Sequence, residues 1–128
     1  MQILVVDNEC SQLENLRIGL NIRGHQVLQA RSGREASVIL ENNDWRIDLV
    51  ITDYDMPEMN GLELLQFIRT RHGTLPVIMM TGFPETERTD GMMKHRCDAI
   101  LEKPFTLDRL VGLIGRVSPQ CFQNSTMH

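Results

Sequence analysis

Asp48-Leu49-Val50-Ile51-Thr52-Asp53-Tyr54-Asp55-Met56-Pro57-Glu58-Met59-Asn60-Gly61 reads as a strand, a loop and the start of a helix. Leu49 to Ile51 is a short apolar run of the kind buried on both faces of a parallel sheet. It ends on a carboxylate, Asp53, and breaks at once into a loop marked by Met56-Pro57. Asn60-Gly61 opens a new periodic segment, with Asn60 placed as the helix N-cap. An acid at the C-terminal end of a central strand stands where open α/β sheets bind ligands. A lone Asp there is more often a solvated strand end, so the other strand ends decide between the two readings.

Upstream, Ile3-Leu4-Val5-Val6 is a continuous apolar run that stops at Asp7-Asn8-Glu9, a buried first strand. Ser11 is expected to cap the segment in which Leu13, Leu16 and Leu20 recur at helical spacing, and Gly24 to end it. Gln26–Ala30 is a more polar strand, suited to a sheet edge. Ser32-Gly33 leads into a second helix with Ala36, Ile39 and Leu40 on one face, and Trp45 is expected to pack in the following loop. Downstream of Gly61, Leu62, Leu65 and Ile68 form one helical face, widened by Leu64 and Phe67, and Gly73 marks the exit.

Pro76-Val77-Ile78-Met79-Met80 is another apolar strand, ending at Thr81-Gly82. Residues 85–96 predict a weak helix, interrupted by Gly91 and anchored by Met92 and Met93. Ala99–Lys103 is a short fifth strand before Pro104, and Leu107, Leu110, Val111, Ile114 and Val117 line the clearest amphipathic helix. Five strands alternating with five helices give an α/β fold with a doubly wound parallel sheet. With the apolar strands central and the polar ones outermost, the strand order is the flavodoxin-like 2-1-3-4-5. One domain is expected over 1–117, with a polar tail or linker stub over 118–128.

The 128 residues suffice for one domain with a buried core. A net charge of −4 argues against general attraction to nucleic acid or an anionic membrane. No apolar run has the length of a membrane span, and Met1 leads straight into a strand-like run without a basic leader. Cys10, Cys97 and Cys121 show no metal-ligand spacing and read as reduced thiols of a cytoplasmic protein, without a redox role.

Every strand except the edge strand 26–30 ends in a group able to do phosphate or metal chemistry: Asp7, Asp53, Thr81 and Lys103. In a doubly wound sheet these ends converge on one rim. Two carboxylates can hold Mg²⁺, which uses one or two protein carboxylates and keeps several waters. Lys103 can neutralise a phosphoryl group, Thr81 can donate to one of its oxygens, and Asp53 is then the nucleophile that becomes an aspartyl phosphate.

At residues 2 to about 117 the chain resembles the receiver domain of two-component response regulators. The resemblance rests on Ile3-Leu4-Val5-Val6-Asp7, on Ile51-Thr52-Asp53-Tyr54-Asp55-Met56-Pro57 with Asn60-Gly61, on Pro76 to Gly82, and on Lys103-Pro104-Phe105. It implies phosphorylation of Asp53 by a sensor histidine kinase or phosphotransfer protein, a requirement for Mg²⁺, and a metal site of Asp7, Asn8, Asp53 and the backbone carbonyl of Asp55. It also implies a cis Lys103-Pro104 bond, and a signalling face over 85–117 that serves an output partner or a dimer. Such a domain binds neither nucleic acid nor membrane itself and catalyses only its own phosphorylation and dephosphorylation.

Two positions depart from the family. Asn8 stands where the family carries a second acid that ligates the metal, so the site has one charge fewer. Ile100 stands where Tyr or Phe commonly swings inward when the Thr engages phosphate, and Ile cannot make that rotamer change. Phe83, two residues after Thr81, is a candidate stand-in.

Other classes remain in view. Asp53-Tyr54-Asp55 has the Asp-x-Asp form of haloacid-dehalogenase-like phosphatases, but there the motif follows the first strand and a later acidic pair holds the metal. A pseudo-receiver that docks partners without phosphorylation is the reading Asn8 encourages, against the presence of Asp53, Thr81 and Lys103. Nucleotide or flavin binding lacks a glycine-rich loop after the first strand. Whether the receiver stands alone or belongs to a longer chain, and which kinase it serves, are open.

Overall fold

The computed structural model describes residues 1–82 and 97–118. In chain order these form β1 (Gln2–Val6), α1 (Cys10–Ile22), β2 (Gln26–Ala30), α2 (Gly33–Asn42), β3 (Leu49–Asp53), α3 (Gly61–Arg71), β4 (Val77–Thr81), β5 (Ala99–Glu102) and α4 (Leu107–Val117). The helix expected over 85–96, Phe83, Cys121 and the tail after Ser118 lie outside the described residues.

The five strands form one sheet in the order β2-β1-β3-β4-β5, all neighbours parallel. This is the flavodoxin-like arrangement, and polarity explains it. β3 and β4 are buried along their whole length and lie inside, while β2 and β5 keep half-exposed positions and form the edges.

Alternation divides the strand side chains between two cores. Leu4, Val6, Val50, Val77 and Met79 face α2 and α3, meeting Ala36, Leu40, Leu64, Leu65 and Ile68. Ile3, Val5, Leu49, Ile51, Ile78, Met80 and Leu101 face α1 and α4, meeting Leu13, Leu16, Leu20, Leu110 and Ile114. Burying each of these large side chains is worth about 1.5–3 kcal/mol against leaving it exposed. On α3 the buried seam is Leu64, Leu65 and Ile68, with Leu62 and Phe67 at its margin.

Helix starts follow local chemistry. Asn60 and Glu63 close a capping box at α3, with Glu63 N–H donating to Asn60 Oδ1 at 2.9 Å. Ser32 caps α2 and Thr106 caps α4. Ser11 does not cap α1. The Asp7 carboxylate accepts the Glu9 N–H at 3.0 Å, turning the chain into the helix by Cys10 and leaving Ser11 inside the first turn. At its far end α1 does stop at Gly24, whose φ of 90° suits glycine. Trp45 packs as expected, stacking on Phe67 and His72 with ring centroids 5.7 and 6.1 Å away.

Candidate functional site

Strand parity carries three charges to one side of the rim. Asp7 continues the Ile3-Val5 face, Asp53 the Leu49-Ile51 face and Lys103 the Leu101 face, all turned toward α1 and α4. Lys103 Nζ consequently lies 3.2 Å from Asp53 Oδ2 and 3.4 Å from Asp7 Oδ2. Both acids are buried, Asp7 completely. Thr81, also buried, ends β4 opposite Glu102, and its carbonyl accepts the Lys103 N–H at 2.8 Å. The Lys103-Pro104 bond is cis. Asn8 and Asp55 lie exposed at the lip of this cleft, and the Asp55 N–H donates to the Asp53 carboxylate.

The charges explain the protonation preferences. Burial, and then the negative charge of Asp7, push the Asp53 carboxyl above its ordinary value; Lys103 and the Asp55 N–H pull the other way without cancelling them. For Lys103, burial favours the neutral amine, but attraction to Asp53 and Asp7 wins and raises its pKa. The two partners shift in the same direction because the lysine faces two acids, whereas for Asp53 burial and the nearby Asp7 outweigh Lys103 and the Asp55 N–H. Elsewhere burial pushes the Cys97 thiol up to about 11, far from a reactive thiolate.

Two carboxylates sharing one ammonium leave a net negative cleft lined by oxygens, the donor set a hard divalent cation prefers. Among the described residues there is no cluster of three or more His, Cys, Asp or Glu around such a point. Asn8, exposed and next to Asp7 in the chain, carries an amide oxygen and no charge.

The loop after Asp53 is held by close backbone approach. The Gly61 N–H donates to the Tyr54 carbonyl at 2.8 Å, and a Cβ on Gly61 would meet Asp53 O at 2.4 Å, Met79 Sδ at 2.7 Å and Tyr54 Cα at 2.9 Å. Two of those three atoms are backbone and cannot step aside. Gly61→Ala is therefore expected to cost about 1–3 kcal/mol, the scale of overpacking, and to shift the amide resonances of Asp53 and Tyr54. Urea melts and a heteronuclear spectrum check this; unchanged stability would show that α3 can retreat freely. From the sequence, Gly61 is legible only as a helix start.

A parallel sheet ordered 2-1-3-4-5, with an acid pair and a lysine at the point where strand order reverses between β1 and β3, defines a flavodoxin-like α/β protein with its site in that crevice. The chain belongs to the response regulator receiver domain family, whose model matches residues 3–115, and is thus a receiver domain of two-component response regulators. It is 35% identical to a probable transcriptional regulatory protein of Picosynechococcus, over 87% of this chain and 46% of that one. It is 33% identical to a response regulator MprA of a Mycobacterium species, over 93% of this chain and 53% of that one. The chain thus spans about half the length of these relatives. Among solved structures, a response regulator receiver domain protein from Clostridium thermocellum superposes with a TM-score of 0.87 at 33% identity, covering 95% of this chain and 97% of that one. Among the described residues no helix is long and apolar enough to cross a membrane.

Proposed function

We propose that Asp53 is the phosphoryl acceptor, taking the group from a phosphohistidine of a sensor histidine kinase or phosphotransfer protein. An Asp53 carboxylate oxygen attacks phosphorus, the phosphorus–nitrogen bond breaks, and the neutral imidazole leaves with the electron pair after taking up a proton. The observation that carries this reading is the Asp53–Lys103 contact of 3.2 Å at the mouth of the central strand. Lys103 is already charged and aimed at the oxygens the phosphoryl group joins, so little rearrangement is needed to neutralise it. Thr81, the last residue of β4, is the hydroxyl assigned to a phosphoryl oxygen.

Mg²⁺ would be held by Asp7, Asp53, the Asn8 amide oxygen and the Asp55 carbonyl, and when bound would add positive charge beside the phosphoryl oxygens. The phosphorylated state adds nearly two negative charges to the rim, and its output is a population shift of the 85–117 face, of which 97–117 are described. That face is assigned to an output partner or a dimer, residues 1–117 to the receiver unit and 118–128 to a tail or linker, in a cytoplasmic protein. The family is a signalling one, and the phosphatase and pseudo-receiver readings are not favoured.

The test is intact-mass spectrometry after incubation with acetyl phosphate, with and without Mg²⁺. One hydroxylamine-labile phosphoryl adduct that needs Mg²⁺ is the expected result. Turnover of acetyl phosphate or a small phosphate ester with no adduct on the chain would overturn it.

A further inference from the structure

Thr52 occupies the penultimate position of β3, fully buried, beside Val6 of β1 and Met79 of β4. A valine would fill that apolar setting as well, so the hydroxyl calls for its own explanation. A buried hydroxyl must find a partner. This one donates to the carbonyl oxygen of the next residue, Asp53, at 3.0 Å.

That bond completes a clamp on one peptide unit. The unit joining Asp53 to Tyr54 has a single C=O and a single N–H. The N–H donates to Met80 O of β4 at 2.9 Å, and the C=O accepts from Thr52 Oγ1. The following carbonyl, that of Tyr54, accepts the Gly61 N–H at 2.8 Å. Two of the three bonds are backbone to backbone and survive any side-chain change. The third belongs to Thr52 alone. The Asp53 side chain stems from the Cα at the near end of this unit, and beyond Tyr54 the Asp55 N–H donates to the Asp53 carboxylate. Turning the unit therefore draws that donor off a carboxylate that Asp7 and Lys103 meet from just past the ends of β1 and β5.

We propose that Thr52 is a positioning residue for phosphoryl transfer to Asp53, holding the Asp53–Tyr54 peptide so that the carboxylate stays aimed at the incoming phosphorus. This rests on Asp53 being the acceptor. A bland reading competes with it: Thr52 is a β-branched strand residue whose hydroxyl has merely found the nearest acceptor. The two differ in what loss of the hydroxyl does. A hydrogen bond of ordinary strength allows about a 3- to 10-fold change in the population of the aligned carboxylate.

The experiment compares wild type, Thr52→Val and Thr52→Ser on the full chain, at a temperature where all are folded. The readouts are the rate of adduct formation at saturating acetyl phosphate and Mg²⁺, and amide hydrogen exchange at Tyr54. Thr52→Val is expected to react about 3- to 10-fold more slowly and to exchange faster at Tyr54, with Thr52→Ser restoring both. A Val variant with the wild-type rate overturns the proposal. So does a Val and Ser pair slowed equally, because that loss tracks the methyl and the packing, not the hydroxyl. If wild type takes up no phosphoryl group, the acceptor assignment fails by itself. Tyr54 exchange then still reports on the clamp, and an unchanged value there rejects Thr52 independently.

Discussion

Asp53→Asn is expected to take up no phosphoryl group at all and yet to melt at a higher temperature than wild type near neutral pH. The first half follows from chemistry, because an amide nitrogen or oxygen does not replace the carboxylate nucleophile. The second half follows from electrostatics. Asp53 is buried, faces the fully buried Asp7, and among the described residues has a shared lysine and the Asp55 N–H to offset its charge. Its carboxyl is held above the ordinary 3.8, with burial the largest cause and Asp7 the next. A carboxyl with a raised folded pKa binds its proton more tightly in the folded chain. Its contribution is therefore fully stabilising below 3.8, is lost as pH rises through the folded value, and at neutral pH the ionised form is the worse guest.

An asparagine keeps the shape, removes the repulsion with Asp7, and leaves that acid its own contact with Lys103 at 3.4 Å. If the gain is about 1 kcal/mol, melting rises by roughly 3–6 °C in a domain of this size. Thermal melts of both forms in chelator, taken from pH 7 downward, check the sign. The difference should shrink as pH falls toward 3.8. An Asp53→Asn variant that melts lower at pH 7 would mean that the Lys103 pair outweighs burial and repulsion together. An acetyl phosphate adduct on the variant would move the acceptor elsewhere.

How much of this was legible in the residues depends on how local each cause is. The strands are brief apolar runs between polar ends, so 3–6, 49–51 and 77–80 announce both their existence and their central place in the sheet. The rim was legible by the same logic, since each of those strands hands over to a polar residue where it stops. What stayed hidden are contacts across elements. Ser11 looks like a cap until the Asp7 carboxylate is seen to take the Glu9 N–H and start α1 early. Lys103 reads as one cation facing a phosphate, and only the folded sheet shows it bridging two acids. Thr52 passes for a spacer in an apolar strand, because periodicity records its side and not its hydroxyl. Gly61 passes for a helix start, because no sequence pattern reports that Asp53 O lies where its Cβ would be.

Asn8→Asp is expected to tighten Mg²⁺ by ~10-fold and to destabilise the metal-free fold. Asp7 and Asp53 bring two negative charges to the rim and Lys103 returns one positive charge, so these three described groups together offer one net negative charge to a divalent ion. Mg²⁺ releases water reluctantly and is drawn chiefly by charge. A carboxylate a few ångströms from the ion is worth roughly 1–4 kcal/mol at dielectrics between water and a protein surface. Asn8 is exposed, so solvent screening places the gain near the lower end, about 1.4 kcal/mol, which is the tenfold. Without metal the same charge works in reverse. A third acid joins two whose mutual repulsion, after burial, already raises the Asp53 carboxyl, and among the described residues Lys103 is the cation that bridges them. Magnesium should therefore recover more stability in the variant than in wild type, the two melting curves crossing as the ion is added. Titration followed through the amide resonances of residues 53–55, with melts in chelator and in saturating Mg²⁺, measures both limbs. Equal affinities would mean that Glu9, whose N–H already binds Asp7, or water held by Asp7 replaces the missing ligand, and the Asn8 amide would then have no part in the site.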